Sequence, residues 1–450
     1  MNDITRYQPV NLANFEKLPQ FARVPADIVR DIRVVGSVLP FKSNNYVVER
    51  LINWDDIPND PMFQLTFPQR RMLSEAHYEA VAACLDRGAS PEELRGVVNE
   101  IRLELNPHPA GQLEHNVPIV DGERMRGMQH KYDETVLFFP SQGQTCHAYC
   151  TYCFRWAQFV GMSDLKFASR EAHRLAAYLV DNPQVSDVLF TGGDPMVMRS
   201  KLIAAYVDAL LEANPPNLRT IRFGTKALAY WPQRFTSDAD AEALLDVFSR
   251  IIASGRQVAL MGHFNHVVEC STPEVRAAVK AIRSRGVNIR TQSPVVAHIN
   301  DDSAMWAEMW RTQTQMGMIP YYMFLARDTG PQDYFKVPLW RAHRIFTTAY
   351  RHTSGLCRTV RGPSMSTTPG KIAVDGVATI NGEKVFVLHF VQARDPEWVN
   401  RPFFAKFTKD ACWLDDLEPA FGESEFFFEA RLRDLLDQDD LEAERLSAEA

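Results

Sequence analysis

Between about His130 and Leu325, short β-rich runs alternate six times with helical patterns, and this alternation constrains the fold more than any other feature. The strand candidates are Thr135–Phe139, Asp187–Phe190, Thr220–Phe223, Val258–Met261, Asn288–Thr291 and Tyr321–Leu325. Helical patterns lie between them over Arg170–Asp181, Lys201–Ala213, Ala239–Ser254, Pro273–Arg285 and Ser303–Met316. Strands joined through helices run parallel, and such crossovers are right-handed. The expected fold is therefore α/β, a partial barrel of six β/α units with its chemistry at the C-terminal ends of the strands.

The flanks read differently, and three segments are expected: 1–127, 128–345 and 346–450. The first is helical and irregular. Ser74 opens one helix and Ser90-Pro91-Glu92-Glu93 another, with Ser as N-cap and Pro at the first helical position, running to a loop at Asn106-Pro107-His108-Pro109. In the third, Lys371–Thr379 and Lys384–Val391 alternate like a hairpin around Asn381-Gly382. The aromatic-rich stretch from Phe386 to Phe428 reads as core packing at the barrel mouth, with a subunit interface as the alternative. Glu423–Ala450 reads as an acidic helix.

Composition narrows the function classes. The chain has 450 residues, 49 Lys and Arg against 56 Asp and Glu, and a net charge of −7, which argues against a general nucleic-acid binder. The longest apolar runs, such as Val385–Phe390, are far too short to span a bilayer. The start, MNDITRYQPV, has no basic region followed by an apolar one, so a cytoplasmic location is expected.

Three of the seven cysteines fall within eight residues, as Cys146-x3-Cys150-x2-Cys153, just after the first strand candidate. Three thiolates on one tight loop can hold three irons of a [4Fe–4S] cluster and leave the fourth open to a ligand. The alternatives are a zinc site, which usually wants four ligands, and buried free thiols. Thr191-Gly192-Gly193-Asp194-Pro195 follows the second strand, Arg222–Gly224 and Pro232-Gln233-Arg234 the third, and His263-Phe264-Asn265-His266 the fourth. Gln292-Ser293 ends the fifth, with Asn300-Asp301 after it. Pro320-Tyr321-Tyr322 opens the sixth, and Asn59-Asp60-Pro61 lies near the start.

Together these motifs resemble the lysine 2,3-aminomutase family of the radical S-adenosylmethionine (SAM) superfamily, from about Val47 to Lys371. The resemblance implies that Cys146, Cys150 and Cys153 carry a [4Fe–4S] cluster whose open iron chelates SAM. It also implies that Thr191, Gly192, Gly193 and Asp194 form the SAM loop, with the glycines allowing close approach to the SAM amino group. His263 and Gln292 become candidates for contact with the adenosyl or substrate side; for His263 a satisfied rim histidine is the alternative. Arg155 stands where the family binds the substrate carboxylate, and Trp156 replaces a second arginine.

The family also uses pyridoxal phosphate (PLP), held as a Schiff base on a lysine, and Lys371 in Thr368-Pro369-Gly370-Lys371 is the nearest match. Of the basic residues that hold its phosphate only Lys131 is present, with Asp133-Glu134-Thr135 following. The aspartates that grip lysine's distal amine correspond to Arg327, beside Asp328, and to Ser364. An arginine there suits an acidic or neutral side chain, so a non-lysine, glutamate-like amino acid is expected, unless Asp328 serves as the usual aspartate.

The family's cysteine-rich zinc segment is absent: Cys412 stands alone, and Cys84, Cys270 and Cys357 are scattered. The expected partners are a small-molecule amino acid and an electron donor such as flavodoxin or ferredoxin, without nucleic acid or membrane, and a homo-oligomer is compatible with the sequence. Two other readings remain: a PLP-independent radical SAM enzyme, and a non-catalytic iron–sulfur or zinc protein.

Overall fold

The computed structural model describes residues 6–107, 116–120, 123–161 and 167–438. Its N-terminal part includes three longer helices, α1 (Ala26–Val38), α2 (Glu75–Asp86) and α3 (Pro91–Glu104), and a six-residue helix, Pro61–Thr66. The Ser74 side chain caps α2 by accepting from His77 N. Ser90 and Glu93 form a reciprocal box at the start of α3, satisfying two backbone N–H groups that a helix start leaves open. His108 and Pro109 of the expected loop lie outside the described residues. So does the end of the acidic tail, which is helical over 429–438.

One eleven-stranded sheet dominates the rest. Its strands are β1 (Met128–Tyr132), β2 (Thr135–Phe138), β3 (Asp187–Phe190), β4 (Thr220–Thr225), β5 (Gln257–His263) and β6 (Asn288–Val295). They continue as β7 (Ile319–Leu325), β8 (Arg361–Ser366), β9 (Gly370–Ile380), β10 (Glu383–Ala393) and β11 (Pro402–Lys406). Strand order follows chain order throughout. β2 to β8 pair in parallel, while β1 and β9–β11 pair antiparallel. The crossovers are α4 (Ala172–Asp181), α5 (Ser200–Ala213), α6 (Ala241–Ala253), α7 (Pro273–Ser284), α8 (Ser303–Gln315) and α9 (Leu339–Arg351).

The six strand candidates thus lie side by side as expected, inside a larger sheet. β1 and β8 carry no clear period-2 apolar pattern, which is why they were not anticipated: β8 reads Arg-Gly-Pro-Ser-Met-Ser. The sheet topology is that of an open sheet of eleven strands rather than an isolated six-unit barrel. Even so, its distant strands approach each other: Lys131 Nζ on β1 donates to Thr367 O, just after β8. The expected hairpin forms as β9–β10, with Asn381 (φ 49°) and Gly382 (φ 83°) supplying the two positive-φ positions of a tight turn.

Side chains alternate across each strand. Val136, Phe138, Val188, Phe190, Ile221, Phe223, Val258, Leu260 and Ile289 are buried in the apolar core. Their neighbours Leu137, Leu189, Arg222, Ala259, Met261 and Arg290 line a cavity. The aromatic C-terminal stretch packs rather than projects: Phe390 is fully buried, with ring centroids of Phe428 at 5.1 Å, Phe403 at 5.5 Å and Trp398 at 5.7 Å. Phe390→Ala should cost ~3–5 kcal/mol, read as a lower denaturant midpoint of the transition that melts this segment.

Candidate active site

The cavity has a volume of about 1260 Å³ and takes residues from every strand from β1 to β10. Its described lining carries eight cationic side chains, Lys131, Arg155, Arg222, Arg290, Arg327, Arg361, Lys371 and Arg394, against four acids, Asp187, Asp328, Asp415 and Glu429. One acid is already matched, since Asp187 Oδ1 accepts from Arg222 Nε at 2.8 Å.

Lys371 sits on β9 with its ammonium nitrogen 4.2 Å from the Tyr322 ring centroid and 3.1 Å from Gln392 Oε1. Burial, with Arg361 and Arg222 nearby, pulls its pKa down to about 7. Lys131 is pushed the same way by burial and by Arg394, Arg327 and Lys371. An amine that sheds its proton near neutrality is a nucleophile toward an aldehyde, and the cations around it suit a phosphate. This donor set fits PLP. Thr191, Gln292, Arg155, Arg327 and Asp328 line the same cavity. Ser364 is fully buried beside Met323 and lies outside that lining.

Cys146, Cys150 and Cys153 are unoxidised and lie near enough to raise one another's pKa, although burial is the larger cause; Cys153 is pushed up to about 12. The N-terminal segment fixes their loop. Tyr149 N donates to Lys42 O at 2.7 Å, Thr151 N to Leu65 O at 3.0 Å, and Lys42 Nζ to Cys146 O at 2.7 Å. Among the described residues, no three His, Cys, Asp or Glu side chains form a single-ion site. The three thiols on one anchored loop fit a [4Fe–4S] cluster.

Arg155 links this loop to the cavity. Its guanidinium lies 4.4 Å from the Phe139 ring centroid and donates to Gln144 Oε1 at 3.3 Å, while its buried Nε has no protein partner. Burial lowers its pKa to about 10. Trp156 is buried behind it, donating to Thr329 Oγ1 at 3.1 Å and packing on Gly330, so the cysteine loop is tied to the segment bearing Arg327 and Asp328.

The Gly-Gly-Asp turn packs closely against the start of the cysteine loop. A Cβ on Gly193 would lie 2.5 Å from both Thr145 N and Thr145 O, and one on Gly192 (φ +140°) would strike the Gln144 amide. The glycines therefore let the turn press against the two residues preceding Cys146, within the protein itself. Asp194 is buried, accepting from Thr225 Oγ1 (2.8 Å), Lys226 N (2.8 Å) and Met196 N (2.9 Å), so it joins the ends of β3 and β4. Burial raises its pKa to about 6 against the pull of these bonds. His263 Nε2 is 2.6 Å from the Tyr152 hydroxyl, which also donates to Asn265 Oδ1 at 2.9 Å.

Sequence reasoning passed over this second layer. Lys226 Nζ contacts Glu269 Oε1 (2.6 Å) and Asn265 Oδ1 (2.8 Å) inside the protein. It also passed over Lys42, and over the cavity cations Arg290, Arg361 and Arg394. A polar residue just past a parallel strand's C-terminal end was the available signal for Lys226, as it was for Asn265 in the His263–His266 motif. Gly193→Ala should push Thr145 aside: reconstituted protein should hold much less iron than wild type, with unchanged far-UV circular dichroism.

No family model matches the chain. Over 416 residues, 92% of this chain and 96% of the relative, it is 28% identical to a protein of Aquifex aeolicus named "Putative L-lysine 2,3-aminomutase". It is 28% identical over 229 residues to the L-lysine 2,3-aminomutase of Bacillus subtilis and 26% identical over 258 residues to that of Acetoanaerobium sticklandii. Those two matches span 45% and 59% of the relatives' own lengths. Among solved structures, Streptococcus suis SuiB bound to S-adenosylmethionine is 12% identical with a TM-score of 0.36, covering 61% of this chain and 57% of that one. The native anSMEcpe structure with AdoMet and a Kp18Cys peptide gives 11% and 0.35, covering 50% and 63%; both likenesses are too slight to bear on activity. Over most of its length, the chain is thus similar in sequence to proteins named as L-lysine 2,3-aminomutases.

Proposed function

We propose that this protein is a radical SAM aminomutase that moves an amino group between adjacent carbons of an amino acid, using PLP on Lys371. One observation carries the reading: a single cavity joins Arg155, two residues after Cys153, to the Lys371 amine poised near neutrality. Cys146, Cys150 and Cys153 would hold the cluster, with Thr191, the Gly192–Asp194 turn, His263 and Gln292 on the SAM side. When bound, the cluster supplies one electron to SAM and PLP supplies an electron sink for the migrating nitrogen. The electron comes from an external donor of the flavodoxin or ferredoxin type, in a reducing compartment such as the cytoplasm.

The chain's own groups do the positioning. Arg155 offers its unsatisfied nitrogen to the substrate carboxylate, which pairs with a planar guanidinium better than with an ammonium. Lys131, with Arg327 and Arg394 close by, neutralises a phosphate. We read 128–345 as the catalytic unit, a partial (β/α)6 barrel; the contact between Lys131 and Thr367 and the shared cavity support that curvature, though the sheet continues beyond residue 345.

The substrate is an amino acid with an additional acid, glutamate-like, rather than free lysine. Twice as many cations as acids face the cavity, and a second ammonium would add to that excess. Anaerobic reconstitution with SAM, dithionite and an amino-acid panel, read by mass spectrometry, tests this. The expected outcome is 5′-deoxyadenosine release with a β-amino product from an acidic amino acid and little β-lysine; efficient β-lysine formation would sink the substrate assignment. Borohydride fixation of PLP onto Lys371 requires the neutral amine, so it should rise with pH and reach half-maximum near pH 7. Lys371→Met should abolish it, and a midpoint near 10, as for an ordinary lysine, would contradict the poised amine.

A further inference from the structure

Tyr230 closes a short helix, Ala227–Tyr230, after β4. Its hydroxyl lies 3.2 Å from Cys150 Sγ, and among the described residues that sulfur is the only hydrogen-bond partner the hydroxyl has. The side chain is 1% exposed, so water does not compete for the bond. Asn44 Nδ2 fixes the residue's backbone, donating both to Tyr230 O (3.0 Å) and to His147 O in the cysteine loop (3.2 Å). Lys226 Nζ, held by Glu269, lies 4.5 Å from the centroid of the Tyr230 ring. The other nearby hydroxyl, Tyr152, also lies close enough to influence Cys150, but it donates to Asn265 Oδ1 at 2.9 Å and sits 2.6 Å from His263 Nε2.

We infer that Tyr230 is a positioning residue for the iron–sulfur cluster, donating its hydroxyl proton to the Cys150 sulfur and so setting the potential at which the cluster accepts its electron. A cluster-bound thiolate carries no proton, so in this pair the phenol is the donor. Reduction adds negative charge to the sulfurs, and a donor stabilises the reduced state more than the oxidised one. Hydrogen bonds to the sulfurs are among the factors that set cluster potentials. The inference rests on the proposed reading of the cysteine trio as cluster ligands.

The test is a redox titration of the reconstituted, SAM-free protein, poised with dithionite and followed by electron paramagnetic resonance. Tyr230→Phe keeps the ring packing and removes the donor, and its midpoint should move to lower potential at full iron content. A 3,5-difluorotyrosine introduced at position 230 makes a stronger donor in the same shape, and its midpoint should move to higher potential. Tyr149→Phe removes a hydroxyl of the same loop that bonds Thr145 Oγ1 rather than sulfur, and should leave the midpoint in place. Loaded Tyr230→Phe protein titrating with wild type overturns the inference alone. If Tyr230→Phe fails to load, a difluorotyrosine protein titrating with wild type overturns it equally. Wild-type protein that assembles no [4Fe–4S] cluster overturns both the inference and the reading beneath it.

Discussion

A parallel sheet whose strands follow chain order brings every strand's C-terminal end to one edge, and the site depends on that constraint. The cysteine loop, the Gly192–Gly193 turn and Lys226 come just after β2, β3 and β4, and His263 ends β5. They meet because neighbouring parallel strands leave their ends only about 5 Å apart. Gly193 presses so closely on the Thr145 backbone that even a methyl group would not fit. This contact fixes the start of the cysteine loop from one side, while Lys42, Gln64 and Leu65 fix it from the other.

The inner face of the sheet holds charge that folding alone would not favour. Clustered buried cations raise the energy of the folded state and are relieved by losing protons or by binding anions. Lys371 and Lys131 both have depressed pKa values for this reason, with burial as the larger cause. Groups perturbed in this way concentrate at functional sites. The cavity thus trades stability for a neutral amine and a field that favours anionic ligands.

The regular elements were legible because their physics is local. Alternation fixed β3 to the residue, and the N-cap serines marked α2 and α3. The hairpin turn was readable because Asn-Gly tolerates two successive positive φ angles. β8 was not legible, since Arg361–Ser366 is a strand through pairing with β7 and β9 rather than through its own pattern. For the site, the cysteine spacing pointed to its loop, but the partners of the Gly-Gly turn, Asp194 and His263 are distant in sequence, and spacing carries no information about them.

By itself, the sequence determined the β/α alternation and the thiol triplet, because each depends on residue type and short-range periodicity, whereas Arg155 and Lys371 stood out only through the resemblance to the aminomutases. Only the tertiary structure decided that Arg155 and Lys371 share one cavity, that its walls are predominantly cationic, and that Tyr230 rests on Cys150. Those facts depend on how far the sheet curls and which side chains then exclude water from one another, and no short stretch of chain encodes either.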